Sequence, residues 1–324
     1  MRLFRSPYSS ERLYFNNLYC VSGTGVVWLP EEAVFAGLDA VQPCANRAEI
    51  GCNWAAEEAG TGYCRACAMT DVIPDTFHAD NRALWAEAEA SKRWVLATLA
   101  RWGWFTDTDP GPRPIFHLLA EATRAGEQRV VMGHLSGVVT INVTEADPAE
   151  RVERREELGE RLRTMTGHFR HEIAHFLFER LLARPGFIEA FRATFGDERT
   201  DYAAALARHY AEGPPPGWQT AHVTRYASAH PHEDWAESAA HLLHLTDIAD
   251  SAAAAGVHIE GLPADYDAYA EPDVERLITL ASRLGIALNH VNRSMGLSDL
   301  YPFVLSDRVR AKLGFVHAWL SKAV

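Results

Sequence analysis

Two imidazoles and a carboxylate within five residues are the first feature of this 324-residue chain that could do chemistry: His171-Glu172-Ile173-Ala174-His175. On a helix a four-residue step returns to the same face, so both imidazoles can grip one ion. Glu172, rotated by about 100° from His171, then lies beside the open coordination position. A carboxylate there takes a proton from a metal-activated water and passes it to a leaving amine. Phe169, Ile173, Phe176 and Leu177 supply the apolar stripe that would bury such a helix.

Two histidines do not hold a catalytic zinc by themselves; a third protein ligand is required. The extended HExxHxxGxxH pattern would put it at position 181, which is Leu181, so that subclass is excluded. The remaining route is a glutamate from a later helix, and His232-Glu233-Asp234-Trp235-Ala236-Glu237 offers two on one helical face. Glu233 is the expected ligand and Glu237 the expected acceptor for the second N–H of a ligand histidine, with the exchanged assignment as the alternative. Tyr226, just upstream, is a candidate donor to the oxyanion of a tetrahedral intermediate. His230 or His232 could instead supply a fourth ligand, which would close the site and make its metal structural.

A second group of soft ligands lies near the N-terminus. All five cysteines, Cys20, Cys44, Cys52, Cys64 and Cys67, fall in the first 67 residues. An odd count with a CxxC pair suits a small metal knuckle better than a disulfide framework. Cys44, Cys52, Cys64 and Cys67 are the expected set, with Cys20 as the alternative for one of them.

These residues need elements to position them. Residues 1–80 are rich in Gly, Cys and turn residues and read as a ribbon-like domain stapled by metal. Residues 81–324 read as a mostly α domain with a small sheet, so the fold class is α+β. Helical periodicity starts at Arg82 and ends at Gly103. Gly137–Val143 is β-branched and reads as a strand, expected at a sheet edge where an extended substrate could add to it. A charged stretch, Glu145–Glu160, leads into the histidine helix, which closes near Leu182. Further helices are expected over 187–195, 199–211, 232–245, 272–288 and 306–321. The loop NRSMGLSDLYPF between the last two carries Arg293, a candidate for a substrate carboxylate or a structural ion pair. FGDERTDY (195–202) reads as an interhelical polar network with no catalytic job.

Net charge is −12, from 31 Lys+Arg against 43 Asp+Glu, so nothing global attracts nucleic acid or an anionic membrane. Residues 20–67 contain only Arg47 and Arg65 as cations, which argues against a ribbon guiding a protease to DNA-bound proteins. No stretch is apolar enough to span a membrane, and MRLFRSPYSSERLYF has no secretory apolar segment, so the expected compartment is the cytoplasm.

The stretches CANRAEIGCNW (44–54), CRACAMTDVIPD (64–75), GHFRHEIAHFLFERL (167–181), YASAHPHEDWAE (226–237) and NRSMGLSDLYPF (292–303) carry a resemblance along nearly the whole chain. It resembles the uncharacterised bacterial family of zinc-binding metallopeptidases with an N-terminal zinc-ribbon domain. That resemblance implies a gluzincin-like hydrolase with His171, His175 and the HEDWAE glutamate at its site. It also implies one catalytic Zn2+, one structural Zn2+ in the ribbon, and a peptide or protein substrate. The family pattern has a CxxC near the first cysteine, where this chain has Cys20-Val-Ser-Gly23, so the ribbon's ligand set departs from it. The competing functions are a metal-stabilised binding or regulatory module with a non-catalytic HExxH zinc, and a hydrolase of non-protein amides.

Overall fold

The computed structural model describes residues 2–57, 60–158 and 164–321. The chain is α+β, with small sheets and long helices. Contacts gather it into two compact units, one built from residues up to 157 together with 164–169, the other from Arg170 onward.

In the first unit, Val26–Leu29 and Val34–Gly37 form an antiparallel hairpin. Its Trp28 meets Phe15 edge-on at 5.4 Å, and Phe15 in turn meets Trp54 at 6.4 Å, so a few aromatics fill a core too small for longer elements. Two one-turn helices, Arg47–Ile50 and Arg65–Ala68, follow. The long helix Ala79–Ala100 then connects the strand Thr70–Val72 to its parallel neighbour Ile115–Leu119. Phe116 and Leu118 stand in register with Val139 and Ile141 of the next parallel strand, and all four are fully buried on one face.

That next strand, Val138–Asn142, is internal to the sheet, which corrects the expectation of an edge strand over 137–143. It is parallel to Ile115–Leu119 on one side and antiparallel to Gly133–Leu135 on the other. The cause is a two-residue turn. Ser136 and Gly137 both take positive φ, 51° and 83°, the conformation that reverses a tight hairpin and folds Gly133–Leu135 back as the true edge. A Gly137→Val substitution should therefore lower unfolding free energy by about 1–2 kcal/mol, the cost of a branched side chain in left-handed backbone. A urea midpoint equal to the parent's would show that the turn is not strained.

The second unit is helical: Phe187–Phe195, Tyr202–Glu212, Pro231–Ala255, Val274–Ser294 and Asp307–Leu320, together with the part of Met165–Leu181 from Arg170 on. Phe178, Phe187, Phe191, Phe195, Trp235 and Phe315 meet one another in an aromatic core. Several helices differ from expectation at their ends. The helix expected over 232–245 runs on to Ala255, because the alanine run at its end is a strong helix former, and Gly256 at φ 75° caps it. The helix expected over 272–288 continues to Ser294 and absorbs the first residues of NRSMGLSDLYPF. Part of the charged stretch over 145–160 is itself helical, Pro148–Leu158, while 159–160 lie outside the described residues. Among the described residues no helix is long and apolar enough to cross a membrane.

Candidate metal centres

The histidine helix and the helix Pro231–Ala255 are tied together in the second unit by Trp235, whose buried indole N–H donates to the Ala174 carbonyl at 2.8 Å. The start of the second helix is fixed locally. Pro231 occupies its first turn, and His230 caps it by accepting from the His232 N–H. Glu233 is thereby brought, almost fully buried, to the exposed edge of His171 and His175.

Three donor atoms converge there. His171 Nε2 is 3.0 Å from Glu233 Oε2 and 3.2 Å from His175 Nε2, and His175 Nε2 is 3.6 Å from the same carboxylate oxygen. The other ring nitrogen of His171 settles the tautomer: Nδ1–H donates to Glu237 Oε1 at 2.7 Å, because a carboxylate can only accept. Glu237 is itself held by the Thr224 hydroxyl, which donates to Oε2 at 2.6 Å. With Nδ1 committed to Glu237, the atoms His171 Nε2, His175 Nε2 and Glu233 Oε2 face one another, and only a proton or a metal cation placed among them keeps their lone pairs from opposing. A tetrahedral zinc with nitrogen and oxygen ligands at about 2.0–2.1 Å spaces its donors about 3.3–3.4 Å apart. The three observed separations bracket that value, so the donor set fits zinc.

The carboxylates draw positive charge to this place: burial opposes charge on His171, but Glu233 and Glu237 override it and hold its pKa well above the usual imidazole range, so a proton fills the cation's place until a metal displaces it. Burial likewise works against ionised Glu233, yet His175 and His171 hold it well below the usual carboxylate range. Glu172 is nearly buried, and its charge is felt by His171, Tyr202 and Tyr226.

The other sequence candidates fall as follows. Tyr226 lies on the 3-10 turn Tyr226–Ser228, its ring 6.0 Å from that of His171. Burial first, and then the Glu233 charge, raise its pKa far above the usual phenol range, so it is always a donor. His230 has both ring nitrogens engaged, one by the His232 N–H and the other by the Thr200 carbonyl at 3.1 Å. His232 stacks on His230 and packs against Phe178. Among the described residues, the histidine–carboxylate cluster comprises His171, His175 and Glu233, with no fourth His, Cys, Asp or Glu. The surplus imidazoles have partners of their own: His168 meets Glu145 at 2.9 Å, His241 meets the Tyr301 hydroxyl at 2.8 Å, and His244 meets Arg170. Arg293 makes a two-pronged pair with Asp299 at 2.6 and 2.7 Å.

Sequence reasoning missed Tyr202. Its hydroxyl donates to Glu233 Oε1 at 2.5 Å, the oxygen turned away from the histidines, and it is hydrogen-bonded to Tyr226 as well. The signal lay in FGDERTDY. Glu198 pairs with Arg192 and Asp197 with Arg199, bracing the turn, and Asp201 caps the helix that starts with Tyr202. The polar network is real, and its product is the placement of a phenol.

In the first unit, Cys44, Cys52, Cys64 and Cys67 form the second cluster, all buried. Cys52 Sγ is 3.7 Å from Cys64 Sγ and 3.8 Å from Cys67 Sγ. Zinc–sulfur bonds of about 2.3 Å put tetrahedral sulfurs about 3.8 Å apart, so this set fits zinc too. Backbone N–H groups of Cys64 and Cys67 donate to the sulfurs of Cys44 and Cys64 at 3.3 and 3.4 Å. Cys20 stands outside the set, with its sulfur 3.2 Å from the Ser6 hydroxyl.

Comparison with known proteins gives each of the two clusters its own match. A family model described as "Putative zinc-binding metallo-peptidase" matches residues 81–319, and a zinc-ribbon domain model matches residues 32–78. Uncharacterised proteins of Mycobacterium tuberculosis and Mycobacterium bovis are each 39% identical to this chain over 327 residues, covering 98% of it and 94% of their own length. No solved structure matches.

Proposed function

The chain belongs to the zinc-binding metallo-peptidase family with an N-terminal zinc ribbon, and on that premise we propose that it is a zinc-dependent hydrolase of peptide or related amide bonds. The observation that carries this reading is the convergence of His171 Nε2, His175 Nε2 and Glu233 Oε2, with no fourth His, Cys, Asp or Glu among the described residues. A catalytic zinc site keeps one position for water or substrate, whereas a structural site is closed by four protein ligands.

His171, His175 and Glu233 would hold the metal. Zinc bound there supplies Lewis acidity, lowering the pKa of water and polarising a carbonyl. Glu172 receives a proton from the attacking water at its carboxylate and delivers it to the departing nitrogen. Tyr226 donates its hydroxyl to the developing oxyanion. Glu237, steadied by Thr224, keeps His171 in the tautomer whose Nε2 lone pair faces the metal position. Tyr202 restrains Glu233 by occupying its second oxygen, so that one oxygen is presented to the metal. The four-thiolate cluster would hold a structural zinc, and its need for reduced cysteines is why we assign the protein to the cytoplasm.

Digestion of a peptide library by the zinc-loaded chain tests the function. New termini formed by the parent and absent with a Glu172 variant support it; no cleavage by either refutes it. Tyr202→Phe should weaken binding of the catalytic zinc about tenfold, as loss of a partner behind a ligand generally does. Competition with a chelator measures this, and an unchanged affinity would remove Tyr202 from the site's supporting shell.

A further inference from the structure

Four thiolates around one zinc ion carry a net charge of about −2, and a charge of that size is tolerated in a protein interior only beside a compensating cation. The cysteines of the cluster are all at most 3% exposed. The nearby cations of the ribbon are engaged elsewhere. Arg47 donates to the carbonyls of Val26 and Leu18, and Arg65 is held by Glu31, Glu57 and Asp107. Lys92 is paired with Glu89 at 2.9 Å.

Arg93 is different. It lies on the long helix Ala79–Ala100, against which the one-turn helices Arg47–Ile50 and Arg65–Ala68 pack, and Arg65–Ala68 carries Cys67. Its side chain is 2% exposed, yet Nε and Nη1 have no hydrogen-bond partner among the described residues. The charges that act on it are those of Cys52, Glu89, Cys67 and Cys64; Glu89 is ion-paired with Lys92 through Oε1, while its Oε2 has no hydrogen-bond partner among the described residues. A buried guanidinium with unanswered N–H groups is costly against neutral thiols and favourable against thiolates.

We propose that Arg93 is the charge partner of a zinc tetrathiolate formed by Cys44, Cys52, Cys64 and Cys67. This rests on the cluster holding zinc, and it adds a dependence that the ribbon cannot meet alone. The cation comes from residues inside the 81–319 match, outside the 32–78 ribbon match, so the ribbon's metal is secured by a helix of the following domain. Arg93 touches no substrate; it acts on the metal through the sulfurs.

The test uses the full chain carrying His175→Ala, so that the cysteine-held zinc is the one counted, with Arg93→Met and Arg93→Lys added separately. Zinc per chain and the rate of zinc transfer to a chromogenic chelator are the readouts. The His175→Ala chain itself must hold one zinc; none would refute the cysteine site rather than the role of Arg93. Arg93→Met should release its zinc at least about tenfold faster, and Arg93→Lys, which keeps the charge, should stay close to the parent rate. Equal release by Arg93→Met and the parent overturns the proposal. If Arg93→Met does not fold, Arg93→Lys decides: a soluble chain with zinc retained supports charge pairing, and an equally damaged one means that packing alone explains the arginine.

Discussion

Replacing Glu172 by glutamine should leave both zinc ions bound and slow peptide cleavage by about 10²–10⁴-fold, the usual worth of a positioned general base. The amide keeps the shape of the side chain but cannot accept the proton. Because Glu172 is absent from the convergent donor set, the metal has no reason to leave. Elemental analysis alongside mass-spectrometric detection of cleaved peptides separates the two effects. A variant that cleaves at the parent rate would show that another group accepts the proton. A variant that loses zinc would make Glu172 a ligand.

Removal of a donor should do the opposite. His175→Ala and Glu233→Ala should each reduce bound zinc from about two ions per chain to one and abolish cleavage, since two remaining ligands cannot retain the metal against water. Glu237→Ala is the control that distinguishes the two glutamates. It removes the acceptor behind His171 while leaving all three donors, so zinc should still bind, about 10–100-fold more weakly. If Glu237→Ala lost its zinc outright while Glu233→Ala kept it, the ligand assignment would have to be exchanged.

What could be read in advance follows the range of the interactions. The pairing of His171 with His175 is set by one helical turn, and the facing pair Glu233 and Glu237 by another, so spacing alone exposed both. Which glutamate faces Nε2 and which faces Nδ1 depends on how two helices cross, and here Trp235 on the Ala174 carbonyl fixes that crossing. Tyr202 was invisible because its bond to Glu233 spans 31 residues and passes through a turn braced by two ion pairs and a cap. The strand over 138–142 was legible from its β-branched residues. Its internal place was not, because that depends on Ser136 adopting a backbone conformation rare for a residue with a Cβ. The four clustered cysteines follow from the CxxC pair and its neighbours, while the exclusion of Cys20 required its contact with Ser6. Arg93 carries no motif at all; burial alone marks it.

Anomalous diffraction at the zinc absorption edge tests the central claim most directly. Two peaks are expected per chain: one among His171 Nε2, His175 Nε2 and Glu233 Oε2 with a non-protein group at its fourth position, and one among the sulfurs of Cys44, Cys52, Cys64 and Cys67. A zinc-replete crystal with no peak between the two histidines, or with a fourth protein side chain closing that site, would contradict the account.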